Sequence, residues 1–332
     1  MAVEWVIAAG ALAGASAVLW GFSGWMTRRI EAAVPINGRF VEVDGERFHY
    51  VEEGKGPPLV MIHGLMGSSR NLTYALSGQL SGRFRVITVD RPGSGYSTRR
   101  SGTASDLPAQ ARQIAAFIKT LDLDKPLVLG HSLGGAIALA LALDHPQAVS
   151  GLILVAPLTH PQRMLPLVFL SLAVRPAWLR RWMSYTLTMP VGLVTKGSVV
   201  KGVFTPDSAP ADFATRGGGL LGMRPDNFYA ASTEINTVND HLPHMVKRYS
   251  QLTLPIGLIY GARDKVLDFQ KHGQALASKV PGLKLQLVEG RGHMLPITAT
   301  ERVVAVVEQI AKRVRPPQSA TVLHPPFALA SK

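Results

Sequence analysis

The chain contains no cysteine, which excludes disulfide staples, thiolate metal sites and a cysteine nucleophile together. It leaves the compartment open, because a cysteine-free chain suits reducing and oxidising surroundings alike. Acidic residues are scarce: 22 Asp and Glu oppose 35 Lys and Arg, a formal charge of +13, and that imbalance points to an anionic partner. Nucleic acid and acidic lipid both fit the sign. The chain has no run of five or six consecutive basic residues and no nucleic-acid motif, so lipid is the expected partner and nucleic acid is not. Also missing are H-E-x-x-H, a cluster of carboxylates and a G-x-G-x-x-G opening a helix after a strand. Neither metal nor dinucleotide chemistry is therefore indicated, and no cofactor is expected. What the chain does have is length, since 332 residues are ample for a full hydrophobic core.

Residues 5 to 25 carry no charge, and as a helix this stretch would extend ~31 Å, the thickness of a bilayer's hydrocarbon. Trp5 near one end and Trp20 and Trp25 near the other stand where indoles favour the headgroup boundary, and Arg28 and Arg29 follow. A signal peptide has a basic start and a shorter apolar run, whereas this one opens with Glu4. The reading is an uncleaved transmembrane anchor over residues 5–26, with the cleaved signal as the alternative. Because flanking arginines are retained on the cytoplasmic side, the rest of the chain is expected inside a bacterial-type inner membrane, with the periplasmic face as the alternative. Gly10 and Gly14 have the spacing of close-packed membrane helices, but a Gly- and Ala-rich span shows it by chance, and no oligomeric state follows.

Residues 31–38 read as a linker. Residues 40–43 and 47–53 then alternate around Asp44-Gly45, a hairpin signal. Further short apolar runs fall at 58–63, 85–90, 127–131, 149–156, 255–260 and 284–288, with helical periodicity between several of them, as at 107–121 and 133–144. That alternation predicts a mostly parallel sheet with helices on both faces. The interval from 157 to 254 is far too long for a simple crossover and reads as an inserted helical cap. The expected organisation is thus core at 39–156, cap at 157–250, core again at 251–315, and a poorly ordered Pro-containing tail at 316–332.

Gly130-His131-Ser132-Leu133-Gly134 is a G-x-S-x-G pattern set between an apolar strand and an Ala/Leu-rich helix, the context in which the pattern carries meaning. A serine on so sharp a turn takes up strained backbone that small neighbours permit. The helix beginning at Leu133 would direct free N–H groups at charge developing nearby. The competing reading is a serine that only caps this helix.

With these residues the chain resembles the α/β-hydrolase superfamily over about 40–156 and 250–315. His63-Gly64-Leu65-Met66-Gly67 is similar to the family's H-G-x-x-G loop, and the resemblance implies an oxyanion hole from the backbone N–H groups of Leu65 and Leu133. The segment from Asp90 to Ser97 resembles the D-x-x-G-x-G-x-S loop, so Ser94 and Ser97 are read as loop residues. By the same resemblance Ser132 is the nucleophile and His293, in Gly292-His293-Met294 after the last apolar run, is its general base. Asp264, in Gly261-Ala262-Arg263-Asp264, is the acid that orients the base, with Asp268 as rival.

The cap stretch is apolar, with residues 164–170 followed by Trp178, Trp182 and Tyr185, read as pocket wall or as the cap's own core. It carries ten Lys and Arg against five Asp and Glu, a surface drawn to anionic headgroups. The expected activity is hydrolysis of a lipophilic carboxylic ester through an acyl-enzyme. Two alternatives stand beside it: a carbon–carbon hydrolase of the meta-cleavage product type, and a non-catalytic tethered protein of this fold.

Overall fold

In the computed structural model, which describes residues 1–100, 102–162 and 164–314, the apolar runs become eight strands. These are β1 (Arg39–Val43), β2 (Glu46–Glu53), β3 (Pro58–Ile62), β4 (Arg85–Val89), β5 (Leu127–His131), β6 (Gly151–Val155), β7 (Ile256–Gly261) and β8 (Leu285–Val288). They form one sheet in the order β1-β2-β4-β3-β5-β6-β7-β8. The hairpin β1-β2 is antiparallel, as is β2 against β4, and the remaining pairs are parallel. Asp44 and Gly45 turn the hairpin with φ of 51° and 78°, the left-handed backbone a two-residue turn requires. The tail expected at 316–332 lies outside the described residues.

Seven helices of ten residues or more accompany the sheet among the described residues. They are α1 (Ala2–Ala33), α2 (Leu107–Thr120), α3 (Leu133–Asp144), α4 (Ala177–Thr186), α5 (Thr188–Phe204), α6 (Pro225–Arg248) and α7 (Thr300–Val314). Strands β5, β6 and β7 are buried along their whole length, which is why their sequences run apolar without alternating. The pleat still sorts their side chains. Val128, Leu152 and Leu154 pack with Phe117 of α2 and Ile137 of α3. Leu127, Leu129 and Ile153 point the other way, to Val303, Val306, Val307 and Ile310 of α7, which recur at helical spacing. Helix α2 begins where Asp106 accepts the N–H of Ala109 at 2.9 Å, an N-cap that satisfies an otherwise orphaned donor. Helices α4, α5 and α6 all fall in the long interval between β6 and β7.

Among the described residues α1 is the one helix long and apolar enough to cross a membrane, and its length and composition fit a membrane span or a signal sequence. It extends beyond Arg29 to Ala33, into the stretch expected to be linker. The reason is packing: Ile30 and Val34 are buried against Met189, Leu221 and Met223, and Glu31 pairs with Arg224 at 2.7 Å. The seam continues upward through Met26, Ser23, Leu19 and Ser16, which are wholly or partly buried while residues 1–15 are exposed. Ser16 accepts the indole N–H of Trp182 at 3.2 Å, so the second half of the apolar helix lies against α4.

Arg91 ties these parts together. Its side chain is fully buried; Nη1 meets Glu234 Oε1 of α6 at 2.6 Å and Gln110 Oε1 of α2 at 2.8 Å. Its Nε and Nη2 donate to the carbonyls of His63 and Gly64 at 3.1 and 3.0 Å. Removing one partner of a buried pair leaves a charge in low dielectric, which costs about 3–5 kcal/mol. Glu234→Ala should therefore lower the unfolding free energy of the detergent-solubilised chain by that amount in urea titrations, and Glu234→Gln, which keeps an acceptor, by less. A loss under about 1 kcal/mol, the range of an exposed pair, would refute the tie.

Candidate active site

Ser132 stands between β5 and α3 with φ 56° and ψ −119°, a conformation that costs a non-glycine residue on the order of 1–3 kcal/mol. Hydrogen bonds hold it there: its N–H donates to Val155 O at 3.0 Å, and its carbonyl accepts from Gly135 and Leu158 at 2.9 and 3.0 Å. The flanking glycines are required by close approach. A side chain at Gly130 would strike the Gly134 carbonyl, and one at Gly134 would strike the Ile62 carbonyl. At Gly64 a Cβ would come within 3.0 Å of Ser132 Cβ and 3.4 Å of its Oγ, so the bare glycine lets the loop after β3 lie directly over the hydroxyl. The N–H groups of Leu65, in that loop, and of Leu133, first in α3, have no acceptor among the described residues.

His293 and Asp264 sit in the loops after β8 and β7 and meet at 2.7 Å, Nδ1 to Oδ2, with side chains 4% and 0% exposed. Asp264 Oδ1 accepts the N–H groups of Val266 and Leu267 at 2.8 and 2.9 Å, which fixes the carboxylate's plane. With Nδ1 engaged, Nε2 is the ring nitrogen left to exchange a proton. Asp268, the rival, is exposed and accepts from the N–H groups of Gln270 and Lys271 at the start of the next turn. Two further histidines frame the site. His63 Nε2 accepts the N–H of Arg91 at 3.1 Å, and His131 Nε2 lies 3.1 Å from the His293 carbonyl. Burial, and then the Arg91 charge, pushes His63 down to about 3. Burial, and then His293, does the same to His131. Both are therefore neutral fixtures. Ser97 Oγ bridges the His49 N–H and the Asp90 carbonyl at 2.8 and 2.7 Å, a loop-bracing role.

Ser132 and His293 line one cavity of about 270 Å³ with Leu65, and its outer wall is apolar: Val168, Phe169, Met183, Leu187, Val191 and Val199. This corrects the expectation for the cap's aromatics. Trp178 is 73% exposed, Trp182 turns to Ser16, and Tyr185 donates to Asp226, because only the Met183 face of α4, continued by Leu187 just past its end, meets the cavity. The contribution of α5 went unread in the sequence. Thr188, Val191, Thr195 and Val199 recur at intervals of three and four and all line the cavity, a stripe that helical spacing could have disclosed.

Buried neutral histidines make stability depend on acid. His63 and His131 at about 3, and His272, lowered to about 4 chiefly by burial, compare with 6.5 in the unfolded chain. Below pH 6.5 the unfolded state takes up protons that the folded state refuses, so this stability is complete above 6.5 and lost as pH falls toward 3. His49 opposes part of this: burial is the largest single influence and lowers its pKa, but the hydrogen bond to Asp90, the Asp90 charge and the Asn37 carbonyl together leave it raised. The melting midpoint should fall steadily from pH 7 to pH 4.5; a flat profile would contradict the neutral histidines.

Residues 57–300 match the family model for the alpha/beta hydrolase fold. The chain is 27% identical over 281 residues to haloalkane dehalogenase 2 of Mycobacterium tuberculosis, covering 82% of this chain and 94% of that one. Its structure is similar to that of a thermophilic esterase from Thermogutta terrifontis, with TM-score 0.68, 20% identity and coverage of 83% and 99%. It is also similar to a membrane phospholipase A described as a bacterial virulence factor, with TM-score 0.61, 21% identity and coverage of 93% and 97%. The β-sheet order, the serine turn between β5 and α3 and the match over most of its length together establish that the chain belongs to the α/β-hydrolase fold family.

Proposed function

We propose that the protein is a membrane-anchored serine hydrolase that cleaves a lipophilic carboxylic ester through an acyl-enzyme on Ser132. The observation that carries this reading is the His293–Asp264 pair at 2.7 Å opening onto the same apolar cavity as a serine on a strained turn. His293 Nε2 takes the hydroxyl proton as Ser132 Oγ adds to the ester carbonyl, and Asp264 stabilises the imidazolium and keeps its ring oriented. The oxyanion accepts hydrogen bonds from the Leu65 and Leu133 N–H groups, whose lack of other partners leaves them available. Collapse of the intermediate expels the alcohol, which receives the proton from His293. Water, deprotonated by His293, then opens the acyl-enzyme and frees Ser132.

Chemistry separates this from dehalogenation, the activity named for the mycobacterial relative. A serine that displaced halide from a saturated carbon would be left as an ether, with no carbonyl for water to attack, so turnover would stop. Acyl transfer leaves an ester, which water can open. The apolar wall of α5 and the Met183 face of α4 support a lipophilic acyl or alcohol group.

The seam along α1 supports the anchor reading over a cleaved signal, because cleavage at the end of the apolar run would remove Phe22 and Met26, which pack against the cluster of Ile30, Val34, Met189, Leu221 and Met223. Leu167, Trp178 and Val194 in the cap are 73–85% exposed on the body that flanks the apolar helix, so the cap's outer surface is suited to lie at the bilayer. Arg28 and Arg29 favour the cytoplasmic side for the domain.

Ser132→Ala should abolish labelling by a fluorophosphonate and lower turnover of an aryl ester by on the order of 10³-fold or more; unchanged turnover would remove Ser132 from the mechanism. Asp264→Asn should lose most activity and Asp268→Asn little. If a vinylogous diketone is turned over and aryl esters are not, the reaction is carbon–carbon cleavage. For orientation, a phosphatase active only after export, fused to the carboxyl end, should be silent in cells, and strong activity would place the domain outside.

A further inference from the structure

Helices α4 and α6 separate the catalytic cavity from a second, larger one of about 930 Å³ between α1 and the domain. Met183 and Leu187 face the first and Arg181 and Tyr185 the second, as residues two apart on a helix must point to opposite sides. Three parts of the chain meet here. Arg28 comes from α1, Arg99 and Arg100 from the loop after β4, and Arg181 and Arg224 from the cap. Two carboxylates, Glu31 and Asp226, share the walls, and both are engaged: Glu31 with Arg224 at 2.7 Å, Asp226 with the Tyr185 hydroxyl. Arg100 is held by Glu46 and by the Asp44 carbonyl. Arg28, Arg99 and Arg181 have no ion-pair partner among the described residues.

The unmet demand is for an anion. Arg224 is only 8% exposed, yet its Nε has no acceptor among the described residues, and neither has the buried Nη1 of Arg99. Burial is also the largest cause lowering the Arg99 pKa. Both donors are shielded from the cavity itself, so what the cavity offers an anion directly is the charge of Arg28, Arg99 and Arg181, which lack ion-pair partners among the described residues. The N-terminus of the 24-residue α6 opens into the same space at Pro225 and Asn227, and its partial positive charge has the matching sign.

The other end of the cavity is apolar. Trp20, Gly21 and Gly24 of α1 line it, and beyond the bare Cα of Gly21 and Gly24 there is open space, a shallow channel along the helix. Trp20 and Arg28 are two helical turns apart, so the cavity runs from the depth of the acyl chains to that of the headgroups. A soluble phosphate would use only one end. We propose that this cavity binds an anionic phospholipid, its phosphate among Arg28, Arg99, Arg181 and Arg224 and its chains along Gly21 and Gly24. The lipid thereby bridges anchor, core and cap. The inference rests on α1 being a retained span and not on the ester chemistry.

Native mass spectrometry of the full chain released from detergent micelles tests it, since the intact mass also reports whether α1 is present. Phosphatidylglycerol should be retained at one molecule per chain, and phosphatidylcholine with the same chains at least tenfold less. Arg28→Ala/Arg181→Ala, both exposed positions, should cut phosphatidylglycerol retention at least tenfold, and Arg99→Ala should do likewise; melting curves verify that each variant is folded. Arg112→Ala/Lys119→Ala on α2 removes the same charge elsewhere and should leave retention unchanged. Ser132→Ala should also keep the lipid, so loss of the catalytic reading would not disturb this result. Equal retention of the two lipids, equal loss in the α2 control, displacement by equimolar inorganic phosphate or glycerol phosphate, or a mature mass lacking α1 would each overturn the proposal.

Discussion

A guanidinium withdrawn completely from water, that of Arg91, must find acceptors for its donors, and the places where it finds them set the geometry of the whole site. Its acceptors are the carbonyls of His63 and Gly64, the Gln110 amide and the Glu234 carboxylate. The first two fix the loop after β3, and so the Leu65 N–H beside Ser132. The last two draw α2 and the cap helix α6 to the same point. An unpaired buried charge is expensive, so these four attachments are cooperative: displacing the cap or the loop strands Arg91. Ser132 and Asp264 themselves are held by short-range devices, a strained turn and a carboxylate clamped by two backbone amides. Arg91 holds α6 and the loop after β3 to them.

Helical period then divides two of the molecule's cavities. One face of α4 carries Met183, is continued by Leu187 just past the helix end, and closes an apolar chamber over Ser132; the opposite face carries Arg181 and Tyr185 and closes a cationic one against α1. Phe228 and Tyr229 divide in the same way on α6. Residues one or two apart on two helices thus serve chambers of contrary chemistry, and whatever moves α4 or α6 changes both. The long first helix belongs to this arrangement too, because its second half is a packed element with a seam of Ser16, Leu19, Ser23, Met26 and Ile30.

Much of this was legible without coordinates, for reasons that can be located. Strands β5, β6 and β7 are nearly continuous apolar runs because both faces are covered, and the Asp44-Gly45 turn is announced by residues that accept positive φ. The G-H-S-L-G turn is legible because its constraint is local: Gly130 and Gly134 are needed where backbone approaches backbone, whatever the rest of the chain does. His293 and Asp264 were legible by place, each following a strand, and Asp268 stayed a rival because four residues of sequence do not say which carboxylate turns inward.

Amino-acid order alone determined the sheet, the serine turn, the apolar leading helix and the basic surplus, because each arises from neighbours in sequence: periodicity, turn chemistry and charge count. Only tertiary structure decided which carboxylate meets His293, that α1 runs through the expected linker, that the cap's aromatics face away from Ser132 while α5 lines its chamber, and that five arginines converge behind α4. These are contacts between segments tens to hundreds of residues apart, Arg91 with Glu234 and Arg224 with Glu31 among them. No local pattern encodes them, since the free energy that selects them exists only once distant surfaces are buried together.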